Sequence, residues 1–446
     1  MKSLKLVLSI LALVLVFALV ACGTPAQQPS QGASETPGEA EAPSEPANDT
    51  GDEESAPATP AENYLIKMWF HSGDTVMPDI VEENKGDFNV EYTSVPEEEF
   101  ERTVRLAIAG GVAPDIVSID QPDLASYASG GAISPLDDFW PAEVLADYPQ
   151  SQIDAISFEG NMYAVPYRDT SVLLFYNKAH FAEAGITAPT SLDDAWSFEE
   201  FLENSIKLTQ LDANGNVEVY GVLPALGAAD GTGGAMAYSQ FMYLHSTGGR
   251  AISPDGSTAT GYFDSADTRR ALQLFYDLHA NNAAPRQGIP DGFMTGKISM
   301  WATGPWMIGT FNEFEDLDWG AMPLPKDKVY ATGMGSWVMT MTMQSQDKQT
   351  TWDFLELLTS PEIMSKYCEA SFNLPARKSV SVSFASDGPF KMITEALERF
   401  GSPRPATPVY SRVADLVSEA FSAVAFGMDV DEVQAMFTEE LNKALS

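Results

Sequence analysis

Flat aromatic side chains and planar polar side chains occur together at the ends of two predicted strands. Trp69 and His71 close the first apolar run of the folded chain, and Asp120 and Gln121 directly follow Ile119. In open α/β sheets, ligands bind in the crevice outside the carboxyl ends of the strands. Aromatic rings offer flat apolar surface, and carboxylates, amides and imidazoles offer hydrogen-bonding groups. These residue types at these positions therefore predict a binding site for a small molecule at this edge.

Catalytic residues do not occur in any familiar arrangement. Four histidines are far apart and lack the spacing of a zinc hydrolase: His71, His180, His245 and His279. The sequence has no Gly-x-Ser-x-Gly elbow, and the run at 292–298 has too few residues between its glycines for a phosphate loop. We therefore expect no catalytic residue, no cofactor and no metal ion.

Two acidic features leave other chemistry open. Asp137 with Asp138, and Asp193 with Asp194, are carboxylate pairs of the kind that act as acid and base in glycosidases. Both pairs sit beside turn residues, which favours solvated loops. The run at 212–216 alternates Asp and Asn as calcium loops do, but the twelfth position of such a loop is a leucine here. Its Asn-Gly pair instead predicts a hairpin turn.

Strands and helices alternate in the first part of the folded chain. Residues 65–70 form a short apolar run, and residues 114–119 form a second one. Between them Phe100, Val104 and Ile108 recur at four-residue spacing, which predicts a helix that two adjacent glycines end. This order is typical of a parallel sheet with helices packed on its faces. The predicted fold class is therefore α/β.

The middle and end of the chain contain the same kinds of element. Residues 172–176 predict a strand, and Ser197 with Glu200 forms a capping box at the start of a helix. Longer helices are predicted after Asp264 and over residues 413–426. No short repeat is visible, which argues against solenoids and propellers.

The chain begins with the features of an exported protein. Two lysines precede an apolar run that ends at Leu-Val-Ala-Cys, which resembles the bacterial lipobox, in which the cysteine is acylated. We expect residues 1–21 to be a signal peptide and Cys22 to be lipidated. Residues 22–63 carry nine acidic residues, no basic residue and no Leu, Ile, Val or Phe, which predicts a disordered stalk. The expected location is extracytoplasmic, anchored by lipid to the bacterial cell membrane.

Composition limits the partners and the number of lobes. The net charge is −38 at pH 7, and nucleic-acid binding is excluded because it requires basic patches. The chain has two cysteines, so the lipidation of one leaves Cys368 without a disulfide partner. Residues 64–446 are too many for one ordinary core and predict two lobes.

Several stretches, read in order, resemble the extracellular solute-binding proteins of family 1, which include the maltodextrin-binding proteins of ABC importers. The matching stretches are residues 106–120, 130–139, 163–169, 174–178, 296–306, 321–325, 354–362 and 374–377. The resemblance implies a two-lobe periplasmic-binding-protein-like fold of type II, with a ligand cleft and a hinge that the chain crosses several times. Lobe one is then expected at 64–168 plus 337–373, and lobe two at 169–336 plus 374–446.

The same resemblance implies ligand contacts in the cleft between the lobes. By their positions in and near the matching stretches, these are Arg168, Asp169, Trp306, Gly335, Ser336, Trp337, Arg377 and Tyr410. Tyr238 and Gln240, on a helix after a glycine-rich run, are predicted as contacts from lobe two. Core packing is the alternative role for the tryptophans. An ion pair across the lobes is the alternative for Arg168 and Asp169.

The resemblance implies a receptor with no chemistry of its own. It would bind a sugar or oligosaccharide, close around it and deliver it to ABC permease subunits in the membrane. We expect a monomer that contacts the membrane only through its lipid anchor and binds no nucleic acid. The alternatives are a secreted carbohydrate-active enzyme, a surface sensor, or a receptor for another polar solute, since Arg168 and Arg377 suit an anion.

Overall fold

The computed structural model describes residues 64–231, 234–384 and 388–446. The predicted signal peptide, the predicted lipidation site at Cys22 and the predicted stalk at 22–63 lie outside these residues. The strands are β1 Leu65–His71, β2 Asn89–Val95, β3 Ile116–Asp120, β4 Ser157–Phe158, β5 Asn161–Met162, β6 Val165–Pro166, β7 Leu173–Asn177, β8 Gln210–Leu211, β9 Val217–Val219, β10 Met300–Thr303, β11 Trp319–Met322, β12 Thr332–Gly333, β13 Trp337–Met341 and β14 Gly401–Ser402.

The helices of the described residues include none that is both long enough and apolar enough to cross a membrane. They are α1 Met77–Asn84, α2 Glu97–Ala109, α3 Leu124–Ser129, α4 Ala142–Ala146, α5 Gln150–Ala155, α6 Lys178–Ala184, α7 Phe198–Leu208, α8 Gly234–Thr247, α9 Ala266–Ala280, α10 Ile308–Asn312, α11 Lys348–Leu358, α12 Pro361–Ser371, α13 Gly388–Phe400, α14 Tyr410–Ala425 and α15 Val430–Leu445. Short 3₁₀ turns occur at Gln121–Asp123 and Pro305–Met307.

The first sheet has the strand order β2-β1-β3-β13-β6 and forms the centre of lobe one. In β1, Ile66, Met68 and Phe70 are fully buried, while the residues between them are at least partly exposed. This alternation is that of a strand with one face on the core. The strands predicted at 65–70 and 114–119 are confirmed as β1 and β3, and the helix predicted between them is confirmed as α2.

Strand directions in the first sheet agree only in part with the predicted parallel arrangement. β1 is parallel to β2 and to β3, but β13 is antiparallel to β3 and to β6. The chain returns to this sheet from lobe two at the carboxyl edge of β3, where Trp337 pairs with Asp120. A strand that enters at that edge must run in the opposite direction. Cys368 lies buried in lobe one.

The second sheet, β10-β7-β11, is antiparallel and belongs to lobe two. Helices α8, α9, α14 and α15 pack together beside it around a shared apolar core that includes Phe241, Phe275 and Phe421. The predicted capping box at α7 is confirmed. The Ser197 hydroxyl accepts a hydrogen bond from the Glu200 amide at 3.1 Å, and the Glu200 carboxylate accepts one from the Ser197 amide at 2.8 Å.

A hairpin of β8 and β9 contains the loop at 212–216. The Asp212 carboxylate accepts hydrogen bonds from the backbone amides of Asn214 and Asn216, both at 2.8 Å. The hairpin predicted from the Asn-Gly pair is therefore confirmed. β9 ends at Val219 because the next residue, Tyr220, donates its amide to the Lys297 carbonyl instead.

The segments that join the two lobes lie side by side. Residues 168–172 lead from β6 to β7, and the backbone of Asp169 pairs with that of Leu374. β12, which leads back to lobe one, pairs in parallel with β14. Together these segments form a hinge. The Lys378 amide donates to the Asp147 carbonyl at 2.8 Å, so this segment lies against lobe one, and the lobe boundaries derived from the sequence stay a prediction.

Candidate functional site

One edge of the first sheet collects many of the predicted site residues. β1 ends at His71, β3 ends at Asp120, and antiparallel β13 begins at Trp337 beside Asp120. β6 ends next to β13 at the same edge, and after Tyr167 the chain continues with Arg168 and Asp169. Residues from four separate parts of the chain thus meet at the carboxyl edge of the parallel strands, where α/β folds bind ligands.

His71 and Trp337 form an aromatic stack at this edge. Their ring centroids are 3.9 Å apart with an angle of 26° between the planes, and Phe100 meets both rings edge-on. His71 is 5% exposed, its Nδ1 lies 3.9 Å from the Glu97 carboxylate, and neither ring nitrogen has a hydrogen-bond partner among the described residues. Trp69 is half-buried and packs against the core of lobe one.

A bidentate ion pair connects the two lobes beside this stack. Asp120 of lobe one accepts hydrogen bonds from both Nη atoms of Arg404, at 2.5 and 2.6 Å. The Arg404 guanidinium carbon lies 4.7 Å from the ring centroid of Tyr238 and 5.8 Å from that of Tyr410. Both tyrosines are buried in lobe two and hold the guanidinium in place. Tyr238 and Tyr410 therefore contribute to the cleft by positioning Arg404.

Gln121 lies against the segment that returns to lobe one. Its backbone amide donates to the Ser336 carbonyl at 3.0 Å, and its side-chain Nε2 donates to the Ala155 carbonyl at 2.6 Å. Gly335 has a φ of +91°, and a Cβ there would lie 2.5 Å from the Gln121 Oε1. The left-handed backbone conformation favours glycine at this position, and a larger residue would also have to displace the end of the Gln121 side chain. The buried Ser336 hydroxyl has no partner among the described residues.

Arg168 and Asp169 point into different surroundings. Arg168 donates to the Tyr367 hydroxyl at 2.9 Å and lies 4.0 Å from the Asp74 carboxylate, inside lobe one. The Asp169 carboxylate accepts hydrogen bonds from the side chain of Gln152 at 2.8 Å and from the backbone amide of Thr170 at 2.9 Å. Burial raises the pKa of Asp169 to about 6.

The raised pKa of Asp169 predicts a pH-dependent contribution to stability. A buried carboxyl with a raised pKa favours folding when protonated, so its contribution is complete below pH 4 and is lost as the pH rises through 6. We expect Asp169→Asn, which stays neutral, to gain about 1.4 kcal/mol of stability relative to the wild type as the pH rises from 5 to 8. Urea unfolding of both proteins at the two pH values measures this. If the free energies of unfolding of variant and wild type differed by the same amount at pH 5 and at pH 8, the raised pKa of Asp169 would be contradicted.

A cavity of about 420 Å³ lies between the lobes. Lobe one lines it with residues from 121–125 and 151–158, and lobe two with residues from 245–256 and 403–406. Its volume falls within the range of about 300–1,000 Å³ that is usual for small-molecule sites. Of the predicted residues Gln121 lines this cavity, and Asp120 contacts it through its partner Arg404.

Other predicted contacts lie away from the cavity. Gln240 is buried in α8 and lines a separate small cavity inside lobe two, next to His279. Arg377 is also buried, and it donates to the Asp147 carboxylate at 2.8 Å in lobe one. Trp306 is half-buried, and its ring folds back over Gly304, where a Cβ would overlap it. The structure therefore does not bring these three side chains together with Asp120 and Gln121.

Several residues of the cavity wall were not identified from the sequence. Besides Arg404, these are Phe158 and Asp154 of lobe one and His245 and Arg250 of lobe two. Burial lowers the pKa of His245 to about 4, so this side chain is neutral at physiological pH. Across the described ranges, no group of three or more His, Cys, Asp and Glu side chains is placed to hold a metal ion.

Two lobes of α/β structure around a cavity at a shared hinge define the class of binding proteins that close on a ligand. The family model for bacterial extracellular solute-binding proteins matches residues 79–391. The chain belongs to this family, which confirms the resemblance seen in the sequence. The maltotriose-binding protein of Pyrococcus abyssi is 22% identical to this chain over 293 residues. The match covers 62% of this chain and 58% of that protein, which is less than two thirds of its length. The diacetylchitobiose binding protein DasA of Streptomyces coelicolor is 22% identical over 75% of this chain and 77% of its own.

Solved structures share the fold. The solute-binding protein of an ABC transporter from Thermotoga lettingae, bound with α-D-tagatose, superimposes with a TM-score of 0.74 at 21% identity, over 86% of this chain and all of the other. UgpB from Mycobacterium tuberculosis, in complex with glycerophosphocholine, gives a TM-score of 0.73 at 20% identity, over 86% of this chain and 98% of its own. These neighbours confirm the predicted two-lobe α/β fold.

Proposed function

We propose that this protein is the extracytoplasmic binding receptor of an ABC importer and that it encloses a sugar or oligosaccharide between its lobes. The observation that carries the proposal is the cavity of about 420 Å³ whose walls come from both lobes beside the hinge. Relatives named for maltotriose and diacetylchitobiose binding support a carbohydrate ligand. The same relatives are binding proteins, which favours a receptor over an enzyme.

The lining of the cavity suits a carbohydrate. Phe158, Leu124 and Met334 offer apolar surface, and Gln121 offers a polar side chain. A sugar presents apolar C–H faces and a rim of hydroxyls, so it needs both kinds of surface. A buried hydroxyl that stays unpaired costs about 1–3 kcal/mol, so polar groups in the wall favour a ligand with matching hydroxyls.

Closure of the lobes would couple binding to transport. A ligand that contacts both walls favours the closed arrangement by its differential affinity for the two states. The closed receptor would then be recognised by permease subunits in the membrane. In this proposal Cys22 carries the lipid anchor, and the acidic stalk holds the folded part away from the membrane surface.

Carbohydrate binding is tested by thermal unfolding and small-angle X-ray scattering with a panel of mono-, di- and trisaccharides. A ligand at 100 times its Kd is expected to raise the free energy of unfolding by about 2.7 kcal/mol, because it binds only the folded state. The same ligand should lower the radius of gyration. Phe158→Ala should weaken binding, and Phe426→Ala, at an exposed phenylalanine elsewhere on lobe two, is the matched control. A panel with neither a melting shift nor compaction would contradict the proposal.

A further inference from the structure

The cavity between the lobes has charged side chains whose charges cancel. Among the described residues of its wall, the charged or titratable ones are Asp154, His245, Arg250 and Arg404. The positive charge of Arg250 and the negative charge of Asp154 cancel. His245 is neutral at physiological pH because burial lowers its pKa. Arg404 is the remaining cation, and Asp120 of the opposite lobe neutralises it through two hydrogen bonds.

Arg404 is held rigidly at this wall. It lies between Pro403 and Pro405, whose rings fix their own backbone φ, and its guanidinium lies over the Tyr238 ring. Its side chain is 3% exposed, and its Nε has no partner among the described residues. Asp120 is therefore the group that neutralises the positive charge, and it occupies the fork formed by the two Nη atoms, so a second anion would meet a guanidinium that already has a counter-charge.

We propose that Asp120 sets the charge selectivity of the cleft: by pairing with both Nη atoms of Arg404 from the other lobe, it reserves the closed cavity for uncharged ligands. This inference rests on the proposed function and narrows its ligand to neutral sugars rather than phosphorylated or acidic ones. An anionic ligand would have to displace the Asp120 carboxylate or lie beside it, and like charges in a closed cavity repel strongly. Without the Asp120 charge, Arg404 becomes a ready anion site.

The Asp120→Asn variant tests this with inorganic phosphate as the probe. Calorimetric titration is expected to show phosphate binding at least about tenfold tighter than in the wild type, since the unpaired guanidinium can then take two phosphate oxygens. In the double variant Asp120→Asn with Arg404→Gln, this gain should disappear. Asp147→Asn is the matched control. It removes the carboxylate partner of Arg377, which is also a buried arginine but lies outside the cavity. Circular dichroism verifies that each variant folds.

Wild-type protein supplies a second measurement that does not depend on a variant. A neutral sugar that binds should lose at least about a hundredfold in affinity when a phosphate ester replaces one hydroxyl. Equal affinities for the sugar and its ester, or a phosphate response in Asp120→Asn no greater than in Asp147→Asn, would overturn the inference. Failure of every neutral sugar to bind would instead overturn the proposed function, and the phosphate titration would still decide the role of Asp120.

Discussion

Replacing Asp74 by alanine is expected to lower the free energy of unfolding by about 3–5 kcal/mol, because it leaves a buried cation without its counter-charge. The Asp74 carboxylate accepts hydrogen bonds from the Tyr367 hydroxyl at 2.8 Å, the Tyr167 hydroxyl at 3.4 Å and the Met77 amide at 3.1 Å. Arg168 lies 4.0 Å away and is nearly buried. Urea unfolding of the variant at neutral pH measures the loss.

An exposed aspartate on the neighbouring helix gives the control. Asp79 is in the first turn of α1, so Asp79→Ala removes only a favourable interaction with the helix dipole, worth below about 1 kcal/mol. Similar losses for the Asp74 and Asp79 variants would mean that the polar cluster does not stabilise lobe one. A large loss only for Asp74 would also show that this cluster fixes the start of the connection to lobe two, since Arg168 lies two residues after β6, where the chain leaves the first sheet.

Much of lobe one could be predicted because its signals are local. The apolar runs of β1 and β3 and the four-residue spacing in α2 each depend on neighbours in sequence. The direction of β13 could not be predicted in this way. It depends on where the chain re-enters the sheet, and Trp337 pairs there with Asp120, a residue far away in sequence. β6 was missed for the same reason, since its two residues carry no pattern of their own.

The same distinction applies to the candidate site. The positions of His71 and Asp120 at one edge of the sheet could be predicted because the end of a strand is a local feature. Arg404 could not be predicted, because it lies in a Pro-Arg-Pro segment without periodicity and its partner belongs to the other lobe. The position of Gln240 could not be predicted either, because α8 is buried on nearly all sides and its sequence does not reveal which face meets the cleft.

Gly221→Ala is expected to destabilise lobe two by about 3 kcal/mol, because the added methyl has no room and its neighbours cannot rotate away. A Cβ at Gly221 would overlap the Ser205 carbonyl oxygen and lie 2.6 Å from its carbonyl carbon, all backbone atoms of α7. Gly221 also follows Tyr220, which bridges to Ile298 just before β10. The strain should therefore reach the strand that leads to Trp306. Urea unfolding, with tryptophan fluorescence as the signal, measures the effect.

Gly288→Ala is the matched control for this substitution. A Cβ there meets no atom within 4 Å, and its backbone is outside the left-handed region, so the change should stay within about 0.5 kcal/mol. If Gly221→Ala were equally mild, α7 would have to be free to move away from the segment after β9. The packing of α7 against this segment would then contribute little to the stability of lobe two.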